Sequence, residues 1–324
     1  MKKTYKIALI AGGFCMIVGL LMAGISFVTN CAGSDDDFSL KNLSNTKYAD
    51  RSFRIVGDFD GISVDVASED VTFIKTDGEN RVEAHVDEDK KVTVDVRDNI
   101  LYVRSDNENF KMFSFGTEET YIKVYLNSGK SDKDLNIDTA SGDVYIESGF
   151  GFGNMKVSTA SGDVKTIGTK AETFEVSTAS GNVYAENVEI NGAAIMSSAS
   201  GDHTVIDSTF GSLKSDTSSG DAKITGTTVK GHFERNSSSG ETGISKTTTD
   251  TFRGDSTSGD LVFEKFDAHR LHIETSSGDV NGTFISGKIF TVDTSSGDID
   301  VPRDEGTDVC EIETTSGDVN IKIA

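Results

Sequence analysis

The sequence predicts an all-β protein whose larger part is a parallel β-solenoid. A Ser-Gly phrase, written TSSGDV at residues 275–280, recurs ten times. Successive copies lie 19 or 20 residues apart, and constant spacing of this kind is typical of stacked repeats. Apolar and polar residues alternate on both sides of each phrase, as in half-buried strands. We therefore expect about ten coils of 19–20 residues, preceded by an irregular β cap and one transmembrane helix.

The start of the chain differs from the rest. Residues 1–6 carry three lysines, and residues 7–28 form an apolar stretch without charge. As a helix this stretch would be about 33 Å long, enough to cross the hydrocarbon core of a bilayer. We expect an uncleaved single-pass anchor in the cell membrane, with residues 1–6 in the cytoplasm and the bulk of the chain outside it. A cleaved signal peptide and a lipoprotein modified at Cys31 are the alternatives.

Three regions follow the anchor. Residues 29–50 are polar and unpatterned and predict a linker. Residues 51–130 contain short alternating runs, such as Gly61–Val66, and predict the irregular β cap. A cap is expected because an open solenoid end exposes apolar core and strand edges. Residues 131–324 contain the ten copies and form the repeat domain.

Each copy consists of a strand, a Ser-Gly corner and a second strand, which fits either a β-hairpin array or a solenoid. Ten hairpins in an open sheet would leave an apolar face uncovered, whereas the two strands of a solenoid coil cover each other. We therefore favour the solenoid, a rod about 45–50 Å long with coils about 4.8 Å apart. The corner glycines are expected to adopt φ > 0. They are Gly142, Gly162, Gly181, Gly201, Gly220, Gly240, Gly259, Gly278, Gly297 and Gly317.

Stacking places the residue after each glycine in one column, which is acidic except at Asn182. The carboxylates either bond backbone N–H groups at the corners or form a ladder of Ca²⁺ sites. One acid per coil supplies few of the six to eight oxygens that Ca²⁺ takes, and no other cofactor is expected. The candidate metal ladder consists of Asp143, Asp163, Asp202, Asp221, Asp260, Asp279, Asp298 and Asp318.

A second column of Ser or Thr stands three residues before each glycine. These hydroxyls are expected to bond one another between coils. The alternative is that they bind a periodic ligand such as a glycan chain.

Catalysis finds little support in the sequence. The five histidines share no metal-ligand spacing, and His203 occupies an apolar column, which predicts a buried structural role. Arg235 is the oddest residue, because it stands in an inward column beside His232 and Glu234. It predicts a locally loosened coil, with a catalytic groove as the alternative. No phosphate loop, nucleophile elbow or zinc motif is present in the sequence.

Composition restricts the possible partners. The net charge of −22 disfavours nucleic acid and anionic lipid surfaces, because both would repel the chain. The three cysteines, Cys15, Cys31 and Cys310, form no disulfide framework. Stability must therefore come from packing.

The FDGISVDVASEDVTFI stretch at residues 59–74 and the tandem SGDV phrases resemble the bacterial putative-adhesin family of β-strand repeat proteins. This domain-of-unknown-function group includes LiaG-like proteins. The resemblance covers roughly residues 50–324 and implies a cell-envelope protein without established catalytic residues. We expect an adhesin or surface-binding module that contacts a surface glycan or envelope protein. An envelope-stress accessory that binds a membrane partner is the alternative, and a carbohydrate-active enzyme is a third class.

Overall fold

The computed structural model describes residues 47–107, 119–127, 133–303 and 306–324, and every regular element in these residues is a β-strand. Within them, no helix is long and apolar enough to span a membrane. The predicted tail (1–6), anchor (7–28), Cys31 and most of the predicted linker lie outside the described residues.

The described residues form 26 strands. In chain order they are β1 (Tyr48–Arg54), β2 (Gly61–Val66), β3 (Asp70–Thr76), β4 (Arg81–Asp87), β5 (Lys90–Arg97), β6 (Ile100–Asn107), β7 (Tyr121–Asn127), β8 (Lys133–Thr139), β9 (Val144–Ile146), β10 (Gly151–Thr159), β11 (Val164–Ile167), β12 (Lys170–Thr178), β13 (Val183–Glu186), β14 (Glu189–Ser198), β15 (His203–Ile206), β16 (Thr209–Thr217), β17 (Ala222–Thr225), β18 (Thr228–Ser237), β19 (Thr242–Ser245), β20 (Thr248–Ser256), β21 (Leu261–Glu274), β22 (Val280–Phe284), β23 (Lys288–Thr294), β24 (Ile299–Asp300), β25 (Asp308–Thr314) and β26 (Val319–Ile323).

The repeat domain is a parallel β-solenoid of about nine turns, as the sequence predicts. Each copy gives the strand before its Ser-Gly corner to one sheet, the long-strand sheet, and the strand after it to the short-strand sheet. Each strand pairs in parallel with its counterpart in a neighbouring copy, as β10 does with β12 and β11 does with β13. The hairpin alternative is therefore wrong. We call the two strands of one copy, with their corner, a rung.

The core lies between the two sheets and is built from inward columns of equivalent residues. Val157, Val176 and Met196 are in register on successive rungs, and each side chain is fully buried. Polar residues between them face solvent, which explains the alternation in the sequence. In a stack of ten copies, each inward position of the repeat therefore contributes one column of buried, mostly apolar side chains.

The corner positions require glycine because the backbones of neighbouring rungs come close together there. The expectation that these glycines adopt φ > 0 is wrong. None of the ten lies in the left-handed region. A Cβ on Gly201 would instead meet the carbonyl oxygen of Gly181 on the adjacent rung closer than 3.0 Å, which real Cβ atoms essentially never show. The same contact with the neighbouring rung recurs at all ten glycines.

Half of the described residues with positive φ lie at the second corner, where the short strand of one copy leads to the long strand of the next. They form a column of mixed composition, six residues after the corner glycine. Its members are Gly168, Asn187, Asp207, Gly226, Lys246 and Lys265.

The stack begins within the region 51–130, for which the sequence predicts a cap. Strands β2 and β3 pair in parallel with β8 and β9, and β6 and β7 add one more rung outside them. Beyond this rung, β5 pairs antiparallel with β6, β4 with β7, and β1 with β4. The cap itself is therefore made of β1, β4 and β5.

Glu69 ties this cap to the stack. It stands in the glycine column of the β2–β3 rung, and its fully buried carboxylate bonds Lys90 of β5 and Ser105 of β6 (2.8 Å). Burial alone would raise the pKa of Glu69, but the hydrogen bonds from Lys90 and Ser105 and the Lys90 charge lower it overall.

At the other end, the last two copies exchange places. Strand β25 of the tenth copy pairs with β21 of the eighth and with β23 of the ninth, so the ninth copy forms the terminal rung. Buried Lys288 of the ninth copy bonds Asp267 (2.6 Å) and Asp308 (3.2 Å) and so links all three copies. Ile299 occupies an inward column but is 48% exposed, because no further rung covers it.

The backbone contact at the corners gives a direct mutational test. Gly201→Ala places a methyl group against the Gly181 carbonyl, so we expect a loss of at least about 3 kcal/mol in the free energy of unfolding. Gly243→Ala is the matched control, since its Cβ would lie 3.9 Å from the nearest atom, and we expect a change within about 0.5 kcal/mol. Urea denaturation measures both. Equal stabilities of the two variants would contradict the corner contact.

Candidate functional site

The Ser-Gly corners form a continuous ladder along the rod, in which each column of the repeat has its own hydrogen-bond partner. In most rungs the hydroxyl three residues before the glycine accepts the glycine N–H of its own corner, as Thr159 does from Gly162 (2.9 Å). The expectation that these hydroxyls bond one another between rungs is therefore wrong. Ser198 and Thr217 instead donate to the glycine carbonyls of their own corners, at 2.6 and 2.7 Å.

The acidic column bonds from rung to rung. The backbone N–H of Asp163 donates to Oδ1 of Asp143 (2.7 Å), and the N–H of Asn182 donates to Oδ1 of Asp163 (2.7 Å). The ladder starts at Asp70, which receives the Asp143 N–H, and continues on most rungs to Asp298 at the terminal rung. The expectation that these carboxylates bond backbone N–H groups is confirmed, but the N–H group belongs to the neighbouring rung and not to the acid's own corner. Each bond ties two neighbouring rungs together.

Ca²⁺ binding along this column stays a prediction. Among the residues described, no group of three or more His, Cys, Asp or Glu side chains is placed to hold a metal ion. At most rungs the ladder engages Oδ1 of the acid or amide.

Arg235 lies inside the solenoid, only 1% exposed, and donates to five acceptors. Nε bonds Thr242 (3.0 Å) and Nη2 bonds Thr217 (2.9 Å), while three backbone carbonyls accept the remaining N–H groups. Burial lowers the pKa of Arg235 to about 10, and nearby Asp216 and Asp221 partly oppose this. The guanidinium is therefore neither in a loosened rung nor in an open groove, and both interpretations of it are wrong.

Small neighbours make room for Arg235. Ser215 and Gly254 occupy the same inward column on the two adjacent rungs. On the facing sheet, Thr242 stands in a column that is otherwise mostly Val, Ala or Leu. These exceptions in the apolar columns thus belong to one buried polar cluster.

His203 is part of this cluster, and its predicted buried role is confirmed. It is 1% exposed, Nδ1 bonds the Ser215 hydroxyl (2.8 Å), and Nε2 is buried without a partner. Burial, with a smaller contribution from the Arg235 charge, lowers the pKa of His203 to about 3. The imidazole is therefore neutral at physiological pH.

The outer face of the short-strand sheet carries a feature that the sequence analysis missed. Tyr145, Lys165 and Tyr184 are in register on three successive rungs, and the Lys165 ammonium lies 5.7 and 5.1 Å from the two ring centroids. Five of the six tyrosines in the described residues share this face: Tyr48, Tyr121, Tyr125, Tyr145 and Tyr184. Alignment of the rungs, rather than residue spacing alone, reveals this cluster.

The stacked rungs and repeated corners define a parallel β-solenoid repeat protein. The Toastrack DUF4097 family model matches residues 59–261 and 231–324, so the chain belongs to this family. The resemblance drawn from the repeat phrases is thereby confirmed.

Several solved structures are similar to the chain. One, from Parabacteroides distasonis ATCC 8503, is described as a putative lipid binding protein and shows 18% identity over 86% of this chain and 98% of its own, with a TM-score of 0.48. A putative adhesin from the same organism shows 15% identity with the same coverage and a TM-score of 0.45. At these values the likeness carries no conclusion about function. No curated protein matches the chain.

The acidic ladder predicts different results for two substitutions of one residue. Asp202→Ala removes the acceptor of the Asp221 N–H (2.8 Å) and should lower the free energy of unfolding by about 1 kcal/mol. Asp202→Asn keeps an acceptor oxygen, as Asn182 does naturally, and should change stability by less than about 0.5 kcal/mol. Urea denaturation with EDTA compares the variants. A larger loss for Asn than for Ala would contradict the ladder.

His203 predicts a pH dependence of stability. Its pKa is depressed in the folded chain, so the unfolded chain binds the proton first as pH falls below about 6.5. Stability is full above this pH and falls by about 1.4 kcal/mol per pH unit below it, towards a pH of about 3.

The measurement is urea denaturation at pH 7 and pH 5, comparing Ser215→Ala with the double variant His203→Val/Ser215→Ala. The chain that retains His203 should lose about 2 kcal/mol more than the double variant. Equal losses would show that the imidazole titrates normally.

Proposed function

We propose that the chain is a membrane-anchored, extracytoplasmic β-solenoid that acts as an adhesin-like binding or structural module at the cell envelope. The observation that carries this proposal is the outer face of the short-strand sheet, where equivalent outward residues align from rung to rung. Residues 7–28 supply the anchor, and the lysines before them orient it.

A linear surface glycan is the ligand that this face fits best. Rungs lie about 4.8 Å apart, so Tyr145 and Tyr184 present their rings and hydroxyls about 10 Å apart, a separation comparable with the length of a disaccharide. Tyrosine combines a large apolar ring with a polar tip, which suits the mixed surface of a sugar. The acidic ladder runs beside these rings and offers hydrogen-bond acceptors to sugar hydroxyls. Nucleic acid is not a proposed partner, because the net charge of −22 would repel it.

The test is a glycan array probed with the full chain in nanodiscs, followed by affinity measurements on the best ligand. We expect binding to a set of linear glycans and at least about fivefold weaker binding for Tyr145→Ala/Tyr184→Ala. Tyr102→Ala is the matched control, since Tyr102 lies on β6 of the long-strand sheet, and it should bind as the parent does.

Two outcomes would contradict the proposal. One is no binding to any glycan or to intact cells. The other is an equal loss of binding in the control and the double variant.

A further inference from the structure

A cavity of about 260 Å³ lies at the second corner of the first rungs, next to the cap. It is bounded by Phe59, Leu126, Phe150 and Phe152, all at most 7% exposed. An engineered cavity of about 150 Å³ takes one benzene molecule, so this cavity has room for about ten non-hydrogen atoms. It opens at the end of the stack, and neither Tyr145 nor Tyr184 is among its described lining residues.

The cavity exists because the inward column at this corner is poorly filled here. Phe152 is in register with Lys133 on one side and with Ala171 on the other. Further along the same column stand the larger apolar residues Ile190 and Phe210. In this column, a small residue and a lysine thus flank Phe152 at positions where other rungs carry large apolar side chains.

The charged side chains that line the cavity in the described part of the chain are cationic. Among the described residues that line it, none is acidic, although the sequence has 53 Asp and Glu residues and a net charge of −22. Two lysines line it: Lys133, whose ammonium lies 3.9 Å from the Phe59 ring centroid, and Lys170. Lys75 adds a third ammonium beside Gly149, another lining residue. An apolar interior with cations at its edge is complementary to an amphipathic anion.

We propose that this cavity binds a small amphipathic carboxylate, with an aromatic or short acyl body among the phenylalanines and the carboxylate at Lys133 and Lys170. Lys170 also pairs with Glu189 (2.5 Å) on an exposed surface, so its ammonium can reorient towards a bound anion at little cost. Lys133 donates to the Phe59 carbonyl and holds its ammonium over the ring, so it is pre-positioned at the cavity. This site is independent of the glycan face, and either can fail without the other.

The probe is 3-phenylpropanoate, titrated calorimetrically into the purified full chain, with empty nanodiscs as the blank. We expect a Kd on the order of 0.1–1 mM, as suits a ligand of this size. The analogue 3-phenylpropylamine has the same body and the opposite charge, and it should bind at least tenfold more weakly. Acetate has the charge without the body and should give no heat.

Variants locate the site. Lys170→Met should weaken 3-phenylpropanoate binding about two- to fivefold, because it removes one exposed cation. Lys156→Met is the matched control: Lys156 forms an equivalent exposed pair with Glu175 (2.9 Å) and does not line the cavity, so binding should not change. Lys133→Met should weaken binding at least as much as Lys170→Met, with its melting temperature checked in parallel.

Three results would overturn the proposal. They are no binding of 3-phenylpropanoate, equal binding of the amine, and equal effects of Lys170→Met and Lys156→Met. The amine comparison needs no variant, so it holds even if Lys133→Met destabilises the chain.

Discussion

The contact on which the whole structure depends is the approach of backbone to backbone at each Ser-Gly corner. A glycine Cα packs against the carbonyl of the equivalent residue on the next rung, leaving no room for a side chain. This contact brings the neighbouring peptide groups close enough for the acidic residue to accept an N–H from the next rung, as Asp143 does from Asp163. The same alignment of rungs places the inward apolar residues in columns, and it also aligns the outward-facing Tyr145, Lys165 and Tyr184.

Much of this arrangement could be predicted from the sequence because the repeat length is nearly constant. Because the copies are equally spaced, equivalent residues stack in columns. The fold, the two-sheet core and the acidic column therefore all follow from the positions of the glycines. His203 could also be placed in the core, because its column is otherwise mostly apolar. The reason for the glycine could not be predicted. A repeated glycine indicates that no side chain fits at that position, but it does not distinguish a left-handed backbone from a steric contact with a neighbouring rung.

Features that depend on contacts between copies escaped prediction. The left-handed column at the second corner contains Lys246 and Lys265 beside glycines, so composition does not mark it. The ninth and tenth copies exchange their stacking order without any change in the repeat pattern, so this feature could be found only in the structure. The polar cluster could have been recognised in the sequence. Ser215, Arg235 and Gly254 interrupt one apolar column on consecutive rungs, which indicates that the small residues make room for the large one.

Disulfide trapping tests the stacking of like residues most directly. In a background without the native cysteines, the pair Lys165→Cys and Tyr184→Cys lies on adjacent rungs, about 4.8 Å apart between Cα atoms, within disulfide range. The pair Ser177→Cys and Tyr184→Cys would be cross-strand partners in a hairpin, but here the two residues lie on opposite sheets. The account predicts rapid oxidation of the first pair and none of the second. Oxidation of the second pair alone would contradict the solenoid.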